Sequence, residues 1–178
     1  MHLPVEIESA FESGATVLTA NVRAARWLRR EYALRQREAG RRVWATPPIE
    51  DWDSWVLRLW EANSMAQADA PLLLTSLQER SVWTRMQKDD AKLLVSPEGM
   101  AALAEEAYAL LCDYEAHDER SRAWGQTDAE RFRQWAMSFD KECAKQGWAS
   151  RAKLESLVAE AANAAPLSTS IAMVGFDR

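Results

Sequence analysis

Hydrophobic and polar positions in the first fifty residues follow a strand–helix–strand rhythm. The spacing in residues 5–12 (VEIESAFE) predicts a short amphipathic helix ending at Gly14. The run Thr16, Val17, Leu18, Thr19 then predicts a strand. Asn21 is placed to cap a long helix that Gly40 closes. Residues 42–45 (RVWA) offer a second short strand, stopped by Pro47 and Pro48. Strand, helix and strand in about 30 residues is the size of a βαβ unit, for which parallel pairing is expected.

From residue 50 to 165 the period changes to that of helices and loops. Trp52, Trp55, Val56, Leu59 and Trp60 recur at helical spacing and give residues 51–63 an aromatic inner face. Residues 66–74 read as a loop. Thr75 with Gln78 matches a capping box, opening a helix that carries Leu77, Val82, Trp83 and Met86. After a polar break at 88–92, Ser96-Pro97 starts an alanine-rich helix running to about residue 115. A second break at 117–126 precedes Thr127 and Glu130, another capping box; Phe132, Trp135, Phe139 and Cys143 line the helix that follows, ended by Gly147. Ser150 begins a last helix with Leu154, Leu157, Val158 and Ala161 as its stripe, stopped near Pro166. The continuous apolar run at 170–176 predicts a strand buried on both faces. The fold class is therefore α/β and mostly helical: a partial α/β layer from residues 1–49 and 167–178, with a large helical insertion at 50–166. A buried strand followed by only two residues predicts a fragment of a larger protein.

Composition narrows the class. At 48% hydrophobic and 28% charged residues, the 178-residue chain can bury a real core. No run reaches the ~18 apolar residues of a membrane span, and the N-terminus lacks a basic start and an apolar h-region, so no membrane partner and a cytoplasmic location are expected. Cys112 and Cys143 lack metal-ligand spacing and are expected as buried thiols.

Most enzymatic chemistry is missing from the pattern. Gly14 is the only glycine before the first long helix and no Gly-Lys-Thr or Gly-Lys-Ser occurs, which argues against ATP hydrolysis. Asp90-Ala91-Lys92 matches half of a metal-dependent nuclease motif, without the partnering Pro-Asp, and is read as a chance match. His2 and His117 are isolated, and the pairs Asp89-Asp90 and Glu105-Glu106 are adjacent in sequence only, the pattern of solvated charge.

The positive signal is charge. Residues 23–42 hold eight arginines against Glu31 and Glu38, a local +6 in a chain of net −5, so the rest of the chain carries −11. At ~100° per residue, Arg23, Arg26, Arg30, Arg37 and Arg41 project within roughly 60° of one another. Trp27 and Leu34 lie beside that stripe; Ala25, Leu28, Tyr32 and Ala39 fall opposite, toward the core. Such a stripe with an adjacent indole suits a phosphate backbone and a stacked base; the pattern alone suits somewhat better a solvated face with Glu31–Arg35 and Glu38–Arg42 as helical pairs. The tryptophans at 52, 55 and 60 read as core.

Four segments resemble a known family: TVLTANVRAARWLR from Thr16, GRRVWATP from Gly40, WDSWVLRLW from Trp52, and Val174-Gly-Phe-Asp177. They look like the N-terminal region of bacterial DNA repair proteins similar to the AddB-type subunit of recombination helicase-nucleases, which carry a RecB-like PD-(D/E)XK nuclease domain at their C-terminus. The resemblance runs through most of the chain and is most specific at its two ends. It implies a degenerate superfamily-1 helicase-like subdomain with a small parallel sheet, interrupted by a helical companion. It implies that the divalent metal and the exonuclease residues lie beyond Arg178, leaving this stretch non-catalytic and without a cofactor of its own. The implied partners are DNA, through Arg23, Arg26, Trp27, Arg30, Arg37 and Arg41, and a helicase-nuclease partner subunit. The competing expectation is a protein-interaction scaffold whose net charge disfavours DNA.

Overall fold

The computed structural model describes residues 4–87, 96–114, 127–164 and 170–176. Among them the protein is mostly helical, with a small parallel sheet. In chain order the elements are α1 (Val5–Ser13), β1 (Thr16–Thr19), α2 (Val22–Glu38), β2 (Ile49–Asp51), α3 (Trp52–Met65), β3 (Leu72–Leu73), α4 (Ser76–Met86), α5 (Pro97–Asp113), α6 (Thr127–Gln146), β4 (Trp148–Ala149), a 3₁₀ turn (Arg151–Lys153), α7 (Leu154–Ala164) and β5 (Ile171–Val174). The chain divides into two compact units, Met1–Asn63 with Val158–Arg178, and Ser64–Leu157.

The first unit is built on β1. It pairs in parallel with β2 on one side and β5 on the other, in the register Val17 to Ile49 and Val17 to Ala172. All four residues of β1 are buried, which accounts for its unbroken Thr-Val-Leu-Thr run. Ile7 and Ala10 of α1, and Ala25 and Leu28 of α2, pack with Val17 and Ile49.

Two expectations for this sheet are corrected. Residues 42–45 form no strand, and Val43 is 87% exposed; the second strand begins after the prolines, at Ile49. Proline lacks the N–H of a ladder residue but keeps its carbonyl, and the Val17 N–H donates to Pro48 O at 2.8 Å, so the pair ends the connection and leads into the strand. The strand at the end of the chain is not buried on both faces. Among the described residues it lies at one edge, with Ala172 and Val174 against the core while Ile171 is 38% and Met173 58% exposed.

The second unit has a ring-stacked centre. Trp83 of α4 lies flat on Phe139 of α6, with centroids 4.2 Å apart and planes 8° apart, and Tyr108 of α5 meets both edge-on at 5.3 and 5.1 Å. All three are fully buried. Thr75 and Gln78 form the reciprocal capping box of α4, and Ser96 Oγ accepts from the Gly99 N–H ahead of α5. The segment expected to be helix and loop throughout also contains a second parallel pair. β3 runs beside β4, with Leu72 N–H donating to Gly147 O and Leu74 N–H to Ala149 O.

Polar groups turned inward tie this unit together. Glu79 is 3% exposed and accepts from Ser150 Oγ at 2.6 Å and the Arg151 N–H at 3.3 Å, joining the first turn of α4 to residues more than seventy positions on. Burial raises its carboxyl above the ordinary range, and the two hydrogen bonds oppose that rise. Asp140 accepts from Tyr108 Oη at 2.5 Å and pairs with Lys153 at 2.6 Å. Burial pushes the Cys112 and Cys143 thiols up to about 11, so both are weak nucleophiles at neutral pH; Cys143 is buried as expected, and Cys112 half-buried.

Candidate nucleic-acid interface

The basic helix forms for local reasons. Asn21 is extended, and its Oδ1 accepts from the Arg23 N–H at 3.1 Å and the Ala24 N–H at 3.0 Å. The interior residues are mostly good helix formers. At the far end Gly40 takes φ +74°; its N–H donates to Arg37 O and the Arg41 N–H to Gln36 O, the paired bonds of a glycine-terminated helix.

The helix sorts its arginines into two groups. Arg29 donates to the Ile49 carbonyl at the start of β2, and Arg35 pairs with Glu8 of α1. These two fasten the helix to its neighbours. Arg23, Arg26, Arg30 and Arg37 are all exposed and have no side-chain hydrogen bond or ion pair among the described residues. Trp27, 41% exposed, and Leu34, 38% exposed, lie among them.

Arg41 is placed elsewhere. The helix ends at Glu38 and the chain turns at Gly40, so helical projection does not carry the stripe that far. Its guanidinium donates to Gln36 Oε1 at 2.8 Å, and it lines a polar groove of about 410 Å³ with Glu8, Phe11, Tyr32 and Arg35. On the inner side Ala25 and Leu28 are buried and Tyr32 packs edge-on against Phe11 at 5.2 Å, whereas Ala39 caps the helix and is exposed.

The first turn runs against helix electrostatics. A helix N-terminus carries partial positive charge and favours acids, yet α2 has none there and opens with Arg23, followed one turn later by Arg26. The connection from β1 is only Ala20 and Asn21, and two of the first-turn amides, those of Arg23 and Ala24, donate to Asn21 Oδ1. At this carboxyl end of the sheet the single Thr19 hydroxyl proton is shared between Asn21 O at 3.0 Å and Glu50 O at 3.3 Å, and Asp51 caps α3 by accepting from the Ser54 N–H. Trp52 meets Phe176 edge-on at 5.9 Å and Trp55 at 5.4 Å. Trp55 and Trp60 are buried, as their spacing suggests, while Trp52 is half-exposed.

Asp89, Asp90, Lys92, His2 and His117 lie outside the described residues. Among the described residues no group of three or more His, Cys, Asp or Glu could hold a metal ion. No helix among them is long and apolar enough to cross a membrane. The sequence pattern gave no sign of the Glu79 tie or the bidentate Arg58–Glu50 pair, because both join residues on different elements. Comparison of the chain with protein-family models, curated proteins and solved structures finds no match.

Proposed function

We propose that this chain is a non-catalytic, helicase-like module of a DNA repair or recombination nuclease, and that it contributes DNA binding through α2. The observation that carries the reading is the exposed row Arg23, Arg26, Trp27 and Arg30, which opens with Arg23 in the first helical turn, where positive charge is unfavourable to the fold. Arginines kept there at the expense of helix stability suit an anionic partner, and the indole among them suits a base. The small parallel sheet supports the helicase-like fold that the family resemblance implies. On this reading the nuclease chemistry and its divalent metal belong to sequence beyond Arg178, and the protein works in the cytoplasm beside a helicase subunit.

Titration of labelled single-stranded and duplex DNA against the chain at several salt concentrations tests it. Arg23→Ala, Arg26→Ala and Arg30→Ala together should weaken binding at least tenfold at low salt. They should also flatten the log–log salt slope by about 2, the counterion release of three phosphate contacts on a single strand. Unchanged affinity and slope would remove α2 from the interface. A second reading, a protein-interaction scaffold without DNA affinity, is supported by the exposed apolar face of α5 and by the net charge of −5.

A further inference from the structure

The helix α5 is apolar on more sides than its packing uses. Ala101, Ala104 and Tyr108 face the core of the second unit and are buried. A second row, Met100, Leu103, Ala107, Leu110 and Tyr114, meets the core at Met100 and follows the alternating three- and four-residue spacing of a coiled-coil seam. Leu103 and Leu110 are each 57% exposed and Tyr114 is 74% exposed. A helix hydrophobic nearly all round is normally enclosed. Here a groove of about 230 Å³ opens beside the first half of that row, lined by Met100, Leu103, Ala104 and Ala107 of α5 and by Phe132 and Trp135 of α6.

Charge around the groove selects among occupants. Glu106 and Asp113 are exposed and lie one heptad apart along one flank of the seam. Asp128 and Arg131 both line the groove and offset each other as a pair at 3.8 Å, so the net acidic charge beside the row is that of Glu106 and Asp113. A second copy of α5 offers no complement: antiparallel pairing sets Glu106 and Asp113 against themselves, and parallel pairing leaves them without a cation. We propose that this face docks an amphipathic helix of a partner protein, with an apolar seam flanked by lysine or arginine. The inference deepens the scaffold reading and does not depend on DNA contact by α2.

Two labelled three-heptad peptides with leucine seams test it on the whole chain, one carrying Lys and the other Glu at both flanking positions. Like-charged flanks discourage either peptide from pairing with itself. The Lys peptide should bind at least tenfold more tightly than the Glu peptide. Leu103→Asp should weaken the Lys peptide at least tenfold although it adds negative charge, with Leu110→Asp as a second variant at an exposed site. Glu106→Lys with Asp113→Lys should reverse the preference. No binding of the Lys peptide, or binding that survives both leucine variants and so reports net charge alone, would overturn the proposal. So would sedimentation showing that the chain dimerises through this face and that Leu103→Asp abolishes the dimer, since the occupant would then be a second copy.

Discussion

The two units use polar chemistry in opposite directions. In the first, four arginines of α2 point into water from a helix already anchored by Arg29 and Arg35, and Arg23 opposes the helix dipole. In the second, Glu79 ties α4 to Ser150 and Arg151, and Tyr108 with Asp140 ties α5 to α6. Its exposed surface carries apolar residues in a regular row instead. Charge that does nothing for the fold is free to meet a partner, as we propose for α2, whereas charge tied across elements holds the fold together.

The largest effect is expected where the second unit depends on one side chain. Trp83→Ala removes the ring between Phe139 and Tyr108 and should cost about 3–5 kcal/mol, measured by denaturant unfolding. A cost below about 1 kcal/mol would mean that the stacked centre does not organise this unit.

A smaller, pH-dependent effect follows from Glu79. Its folded-state pKa is raised above the ordinary value near 4.5, so the folded chain holds that proton more tightly than the unfolded one. The resulting contribution is fully present below the ordinary carboxylate range and is lost as pH rises through the raised value. Unfolding of the parent and of Glu79→Gln across that window should show the parent losing ground as pH increases. A difference that is flat with pH, or that grows in the parent's favour, would show that the hydrogen bonds from Ser150 and Arg151 outweigh burial.

What could be read from the sequence was what is local. Asn21, Gly40, Thr75 with Gln78, and Ser96 act through hydrogen bonds within a few residues, and each marks the helix boundary its chemistry suggests. The strands were harder, because pairing is decided far away. Residues 42–45 have strand composition, but it is Ile49 that aligns with Val17, and two-residue strands such as Leu72–Leu73 and Trp148–Ala149 exist only through each other. The apolar run at Ile171 looks enclosed in sequence, whereas its exposure is set by its place at the sheet edge. Arg41 shows the same limit at the candidate site: periodicity extends the stripe to it, and the turn at Gly40 takes it away.

The comparison between the units stands or falls on α2. The variant Arg23→Glu with Arg26→Glu replaces cations by acids in the first turns, where acids are favoured, at side chains without a partner among the described residues. Its unfolding and its affinity for a single-stranded oligonucleotide should be measured side by side at low salt. Stability raised by roughly 0.5–2 kcal/mol, together with DNA binding weakened more than tenfold, is the predicted result. Lowered stability with undiminished DNA binding would contradict it, and would assign these arginines to the fold.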